Sequence, residues 1–420
     1  MKCIPRMIAE RKCRKQCAIW QGRKQPELPP KLVHAGRKPD SMNIAKLSLL
    51  SQVTALLSFW CATAWPVELP RAGSDCNQAA ETERWTSAGA PDVGAQPPLL
   101  SAHRGGSTLA PENTLWAYRH AFAYDMDFVE IDVRETLDGV FISMHDDTVD
   151  RTTNGAGQVA QMNWAQLEQL NAADFFPWQG SQYDPSGVPR LEQILQLARD
   201  SHKGIEFDIK TVRNHTRFFD MVAAYGLMSR SYFSISGDLV NVAQAYNPEI
   251  RVIFNIEGSE APEALYAETR RTAVYGSRRD KFTPEKIAAV HDGCAFVLPH
   301  SYDAGLLAEA DEFLRGRANG ADGAQVDQPD LIAHVAERHV AAELIYREAT
   351  RQVCLRNSDN GLGIPRRLLS VWRIVELPDL RLTDRDGCIP FERSHGRYLI
   401  RHEGSPAVRE ATLWVSLPGS

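Results

Sequence analysis

The chain has 420 residues, 43% of them apolar, and a formal net charge of −6. A chain of that length and mildly acidic balance has room for one large catalytic domain with additions, and it is not a basic nucleic-acid scaffold. The charge is unevenly spread, since the first 41 residues hold eleven Lys or Arg against three Asp or Glu, a local +8 that leaves −14 for the remainder.

That basic start lacks interleaved aromatics and any nucleic-acid-binding module, so no nucleic-acid partner is expected. Cys13 and Cys17 form a single C-x-x-x-C without a second pair, a poor zinc site. From Met42 the chain reads as a short positive start ending at Lys46, an apolar run Leu47–Trp60 and a small-x-small exit at Ala62-Thr63-Ala64. This is the organisation of a secretory signal peptide, with Met42 as an alternative initiator that would leave 1–41 untranslated. The expected layout is a signal peptide at 42–64, a spacer rich in Ala, Gly, Pro and Ser at 65–98, and a periplasmic or secreted mature protein. An uncleaved membrane anchor at 47–64 is the competing reading, and Ser48, Ser51, Gln52 and Thr54 make the run polar for one. Export would leave Cys76, Cys294, Cys354 and Cys388 able to pair. Cys354 with Cys388 is the favoured bridge, in an otherwise open connectivity.

The stretch from Ser101 to Gly157 organises the rest. His103-Arg104-Gly105, Pro111-Glu112-Asn113-Thr114, Glu130-x-Asp132, Thr136-x-Asp138-Gly139 and His145-Asp146 follow one another, and then come Arg151-Thr152-Thr153 and Gly155-x-Gly157. The alternation in Phe128–Val133 turns Glu130 and Asp132 to one face and Val129, Ile131 and Val133 to the other. Phe141–Met144 reads as a second strand with His145-Asp146 at its carboxyl end, where α/β folds collect their chemistry. In order and spacing these clusters resemble the glycerophosphodiester phosphodiesterase family, phospholipase C-like phosphodiesterases of the TIM-barrel class.

The region from Leu99 to about His339 has the length of one (β/α)8 barrel. Eight strand-like runs alternate with helical patterns: Leu99–Ala102, Phe128–Val133, Val140–Met144, Gly204–Ile209, Tyr232–Ser236, Val252–Asn255, Ala295–Leu298 and Gly323–Val326. Helices are expected at Thr114–Tyr124, Leu191–Ser201, Thr216–Tyr225 and Thr283–His291, the last with a Thr cap followed by Pro. A doubly wound open sheet would alternate in the same way, and the resemblance favours the closed barrel. Glu257–Lys281 is long and charged for a simple connection and reads as a lid or rim insertion.

On the run Gly204–Lys210 the period of two puts Glu206, Asp208 and Lys210 on one face, a costly cluster unless a cation offsets it. Family members commonly have Glu-x-Lys here, so Asp208-Ile209-Lys210 matches with a shorter carboxylate, and Glu206 stays open as the alternative ligand. Gly320–Pro329 resembles the family's closing G-x-D-G-x-x-T-D-x-P, with Val326 in place of Thr. The aromatic-Thr signature of the seventh strand is not visible in Phe296–His300.

Oxygen ligands from Glu130, Asp132 and Asp208 suit a hard divalent cation, Mg²⁺ or Ca²⁺. A phosphodiester is anionic with a poor leaving group, so it requires positive charge, supplied here by the cation, Arg104 and Lys210, and a general acid and base. The resemblance implies that His103 and His145 are the acid and base, with Glu112 and Asn113 orienting His103 or groups around the metal. The expected reaction is hydrolysis of small glycerophosphodiesters to sn-glycerol 3-phosphate and an alcohol. A phospholipase D-type enzyme on lysophospholipid or sphingolipid would use the same residues. A barrel without activity, serving as a cell-surface binding module, is the reading from a different class, and retention of both histidines and the carboxylates argues against it.

After Arg347 the pattern changes. Asn357–Pro365 is a turn-rich break, and alternating runs at Leu369–Val375, Tyr398–Arg401 and Thr412–Leu417 indicate a small β-rich appendage within 340–420. Trp372, Tyr398 and Trp414 fill its core or form a face for cell-wall or membrane-surface contact.

Overall fold

The structure is a computed structural model. It describes residues 98–248, 250–255, 274–276, 282–292, 295–301, 306–338, 340–365, 367–373, 379–391, 396–402, 408 and 411–417. The basic start, the signal-peptide and anchor readings, the spacer, Cys76 and Cys294 lie outside these residues.

Among the described residues, eight parallel strands form the main sheet: β1 (Leu99–Ala102), β2 (Phe128–Glu135), β4 (Gly204–Thr211), β5 (Ser231–Ser234), β6 (Val252–Asn255), β7 (Val274–Gly276), β8 (Phe296–Val297) and β9 (Gly323–Val326). Their order is β8-β7-β6-β5-β4-β2-β1-β9. The two ends meet, because Asp322 N–H donates to Val297 O (2.9 Å), Gln325 N–H to Pro299 O (3.0 Å) and Ser301 N–H to Gln325 O (3.0 Å). These bonds close the sheet into a (β/α)8 barrel, which has no exposed edge.

Two expectations about the strands need correction. The run at Val140–Met144 yields a strand, β3 (Phe141–Ser143), but it pairs antiparallel to β2 and is not a barrel stave. The stave it displaced from the count is β7, inside the stretch expected to be an insertion at Glu257–Lys281; Val274-Tyr275-Gly276 is too short and too charged in its surroundings to stand out. The expected helices form as α1 (Leu115–Ala123), α3 (Leu191–Asp200), α4 (His215–Ala224) and α6 (Pro284–Asp292), with α2 (Trp164–Leu167), α5 (Asp238–Tyr246), α7 (Leu306–Ala318) and α8 (Pro329–Val335) between them. Thr114 caps α1 by accepting the Ala117 N–H, and the Thr283 hydroxyl accepts from Lys286 N–H at the start of α6 (3.4 Å). Caps of this kind contribute about 1 kcal/mol each.

The period of two along each stave separates packing from chemistry. Leu100, Ala102, Val129, Ile131, Val133, Ile205, Phe207, Phe233, Ala324 and Val326 face outward and pack with Tyr118, Phe122, Leu195 and Phe218 of the helices. Ser101, Glu130, Asp132, Glu206, Asp208, Tyr232 and Gln325, at the intervening positions, face the barrel interior.

Beyond the barrel, β10 (Ala342–Arg347), β11 (Gln352–Asn357) and β14 (Cys388–Pro390) form one antiparallel sheet. The other sheet has the order β13-β12-β15-β16, from Asp379–Leu382, Leu368–Arg373, Gly396–His402 and Ala411–Leu417. Cys354 and Cys388 face each other across β11 and β14 and are disulfide-bonded. This region seats on the carboxyl end of α1: the Asn360 amide donates to Phe122 O (2.9 Å), the Asn357 amide to Ala123 O (3.3 Å) and the Tyr124 hydroxyl to Pro365 O (2.9 Å). The helix whose other end carries Glu112-Asn113-Thr114 is thereby fixed at both ends.

Candidate active site

The site is assembled at the carboxyl ends of the staves, beginning with the turn after β1. His103-Arg104-Gly105 make a tight turn in which Arg104 (φ 50°), Gly105 (φ 84°) and Gly106 (φ 86°) are all left-handed. Gly105 is required there, since a Cβ would lie 2.7 Å from the Ala117 methyl of α1. The turn aims the Arg104 N–H at Glu130 Oε2 (2.7 Å) and its guanidinium at Glu112 Oε1 (3.0 Å), with Nε 3.7 Å from Asp132 Oδ2.

The carboxylates form two rungs across neighbouring strands, because Glu130 is in register with Glu206 and Asp132 with Asp208. One oxygen from each of Glu130, Asp132 and Asp208 lies within 4.8 Å of the others, a spacing that fits a shared metal ion. Glu206 sits beside this group in a different setting: the Ser101 hydroxyl (2.7 Å), the Tyr232 hydroxyl (3.2 Å) and the Gln325 amide donate to it. Burial pushes the Glu206 carboxyl up against those hydrogen bonds. Burial, followed by the neighbouring charges of Asp132, Asp208 and Glu206, pushes Glu130 well above the usual carboxylate range. Burial also opposes ionisation of Asp132, but Lys210, Arg104 and the Asn113 amide together hold it below its ordinary value. Lys210 spans the upper rung, 2.7 Å from Asp208 Oδ2 and 3.2 Å from Asp132 Oδ1.

Two buried donors lock Asn113, which is itself left-handed (φ 55°). The Tyr118 and Ser143 hydroxyls donate to its Oδ1 (2.8 and 2.6 Å), turning Nδ2 toward Asp132 Oδ2 (2.7 Å). Asn113 therefore orients a carboxylate of the cluster. Glu112 pairs with Arg104 and with Arg151, which hold its carboxyl low despite burial.

Each histidine leans on an aspartate. His103 Nδ1 is 2.9 Å from Asp327 Oδ1, which also accepts from the Ser107 hydroxyl (3.2 Å). His145 Nδ1 is 2.7 Å from Asp146 Oδ1. Arg151 joins Asp146 (2.6 Å) to Glu112 (2.8 Å), and its hydrogen bonds, with those of His145, hold Asp146 well below the carboxylate range. His145 reaches the mouth through the β2–β3 hairpin, Met144 N–H donating to Asp132 O (2.9 Å), and not at the end of a stave as its position after a strand suggested.

All nine residues singled out in the sequence lie in this assembly: His103, Arg104, Glu112, Asn113, Glu130, Asp132, His145, Asp208 and Lys210. The supports Asp146, Arg151 and Asp327 stood in the quoted motifs without a role, and Tyr118, Ser143 and Glu309 carried no signal. Glu309 on α7 accepts the Asp327 N–H (2.5 Å), and burial pushes its carboxyl up to about 7.

Comparison with known proteins identifies the family. Residues 103–331 match the model of the glycerophosphoryl diester phosphodiesterase family. A glycerophosphodiester phosphodiesterase from Caldanaerobacter subterraneus subsp. tengcongensis is 32% identical over 157 residues, 37% of this chain and 57% of that protein. A glycerophosphodiester phosphodiesterase from Bacillus subtilis is 41% identical over 102 residues, 23% of this chain and 35% of that protein. The alignments thus span little more than half of the first relative and about a third of the second. Among solved structures, a glycerophosphodiester phosphodiesterase from Agrobacterium tumefaciens is similar with a TM-score of 0.49 and 27% identity, over 56% of this chain and 98% of that one. With its model matched over more than half of the sequence, from His103 through the closing strand and into α8, the chain belongs to the glycerophosphoryl diester phosphodiesterase family.

Proposed function

We propose that the protein hydrolyses glycerophosphodiesters to sn-glycerol 3-phosphate and an alcohol, with a divalent cation at Glu130, Asp132 and Asp208. The observation that carries this reading is the pairing of two aspartate-backed histidines with a carboxylate triplet whose ligand atoms lie within 4.8 Å of one another. The donors are all oxygens, which favours Mg²⁺ or Ca²⁺ over softer metals. Crowding at Glu130 supports the fit, because burial and three neighbouring carboxylates resist its ionisation and a cation would relieve that cost. When bound, the cation supplies positive charge for the non-bridging phosphate oxygens.

The remaining chemistry belongs to the side chains. Arg104 and Lys210 add fixed positive charge beside the carboxylates, needed by an anionic substrate in a chain that is acidic beyond residue 41. With Nδ1 of each histidine directed to an aspartate, Nε2 is the nitrogen for proton exchange. One imidazole accepts the proton of a water whose oxygen bonds to phosphorus, and the other protonates the alkoxide as its P–O bond breaks. Tyr118 and Ser143 hold Asn113, and through it Asp132, in a single orientation. The Cys354–Cys388 bridge supports the further reading that the protein works in an oxidising compartment after export.

The test is release of glycerol 3-phosphate from glycerophosphocholine by the protein starting at Trp65, with EDTA and after return of Mg²⁺ or Ca²⁺. Release that EDTA stops and a cation restores is expected; release that EDTA leaves untouched would contradict the metal assignment.

A further inference from the structure

A third histidine stands at the mouth of the barrel. Ala295 and Val297 pack outward with Ile287 and Val290 of α6, so the alternate positions Phe296, Leu298 and His300 face inward. His300 forms a parallel bridge with Gln325. Residues paired in this way present their side chains to the same face, and the Gln325 amide points to Glu206 inside the barrel. Two residues further along the chain from Gln325 is Asp327, the support of His103. His300 therefore lies beside His103, and the order β8-β9-β1-β2 puts it on the flank away from His145.

Burial, with the charge of His103 nearby, lowers the His300 imidazole to about 3. A neutral imidazole offers one N–H donor and one nitrogen acceptor and no charge. That is a poor partner for a phosphate oxygen, which Arg104, Lys210 and a cation already serve, and a good one for a hydroxyl, which both gives and takes a hydrogen bond.

We propose that His300 is a specificity-determining residue that hydrogen-bonds a hydroxyl of the organic group esterified to the phosphate on the His103 side. The inference rests on the hydrolase reading above and names the part of the substrate that this wall of the pocket selects. A site that hydrogen-bonds a substrate hydroxyl discriminates strongly against an analogue lacking it, so hydroxyl-bearing substrates gain most from it.

The experiment uses the full chain and compares glycerophosphoglycerol with bis(p-nitrophenyl) phosphate, which has no hydroxyl. For His300→Ala, kcat/KM on glycerophosphoglycerol is expected to fall about 10- to 100-fold, with bis(p-nitrophenyl) phosphate turnover within about twofold of the parent. His300→Gln keeps a donor and an acceptor and is expected to recover most of the loss. Equal losses on both substrates, or no loss on either, would overturn the proposal. Calorimetric binding of glycerol 3-phosphate against inorganic phosphate separates it from the hydrolase reading. A preference for glycerol 3-phosphate that disappears in His300→Ala supports the assignment even if the parent turns over no glycerophosphodiester, and an unchanged preference refutes it.

Discussion

His103 and His145 each rest on an aspartate, yet different parts of the fold hold those aspartates. Asp327 follows β9, beside β1, and is fixed by the Ser107 hydroxyl and by its own N–H on buried Glu309. Asp146 follows the β2–β3 hairpin and is held by Arg151, whose side chain is 44% exposed and bridges to Glu112. One support is built into the closure of the barrel; the other is a surface ion-pair network. A support tied to a buried carboxyl at the closure of the barrel has few alternatives once broken, whereas a solvated network can be partly replaced by water and salt.

The sharpest way to break this contrast is to neutralise the two aspartates in turn. Asp327→Asn leaves the shape but offers His103 a partner of the wrong polarity, and kcat is expected to fall by about 10³-fold or more. Asp146→Asn should cost clearly less, because Arg151 and Glu112 remain to order the loop. Initial rates on glycerophosphocholine decide it, and equal losses would remove the distinction.

A smaller effect is expected from Arg151→Ala, on the order of 10- to 100-fold in kcat/KM, the usual range for a residue that orients a functional group. The parent's rate should also be more sensitive to salt than that of Arg151→Ala, since the exposed network that salt screens is missing from the variant. Arg151→Lys should rescue incompletely because a single ammonium cannot reproduce the forked contact to Asp146 and Glu112.

The mildest consequence concerns stability on the Asp327 side. Burial raises the Glu309 carboxyl from 4.5 to about 7. Below pH 4.5 the group is protonated in both folded and unfolded chains and there is no cost. As pH rises through about 7 the unfolded chain gains the charge more readily, and up to about 3 kcal/mol of stability is lost. Glu309→Gln cannot ionise, so the parent's stability to denaturant should fall relative to this variant between pH 4.5 and 7.

The same contrast explains what the sequence could disclose. Glu130, Asp132, Asp208 and Lys210 were legible because a strand's period of two is written locally. Asp327's support of His103 was not, since it depends on β9 closing beside β1, 224 residues away in sequence from His103. The role of β3 is hidden for a related reason: an apolar run reports a strand but not its direction, and β3 turns back along β2 while β7 is the eighth stave. In the C-terminal region the runs around β12, β15 and β16 were visible. β10 (Ala-Glu-Leu-Ile-Tyr-Arg) and β11 (Gln-Val-Cys-Leu-Arg-Asn) flank the expected transition at Arg347 and mix charge with apolar residues, so they gave no clear boundary. Glu309 was hidden on a helix whose sequence is that of an ordinary amphipathic surface.

The central claim is that the two histidines divide acid and base duties on one phosphodiester. ³¹P NMR of glycerophosphocholine incubated with the cation and with the parent, His103→Ala or His145→Ala protein tests it most directly. The account predicts a growing glycerol 3-phosphate signal from the parent and none from either variant over the same period. Substantial product from either variant would contradict it.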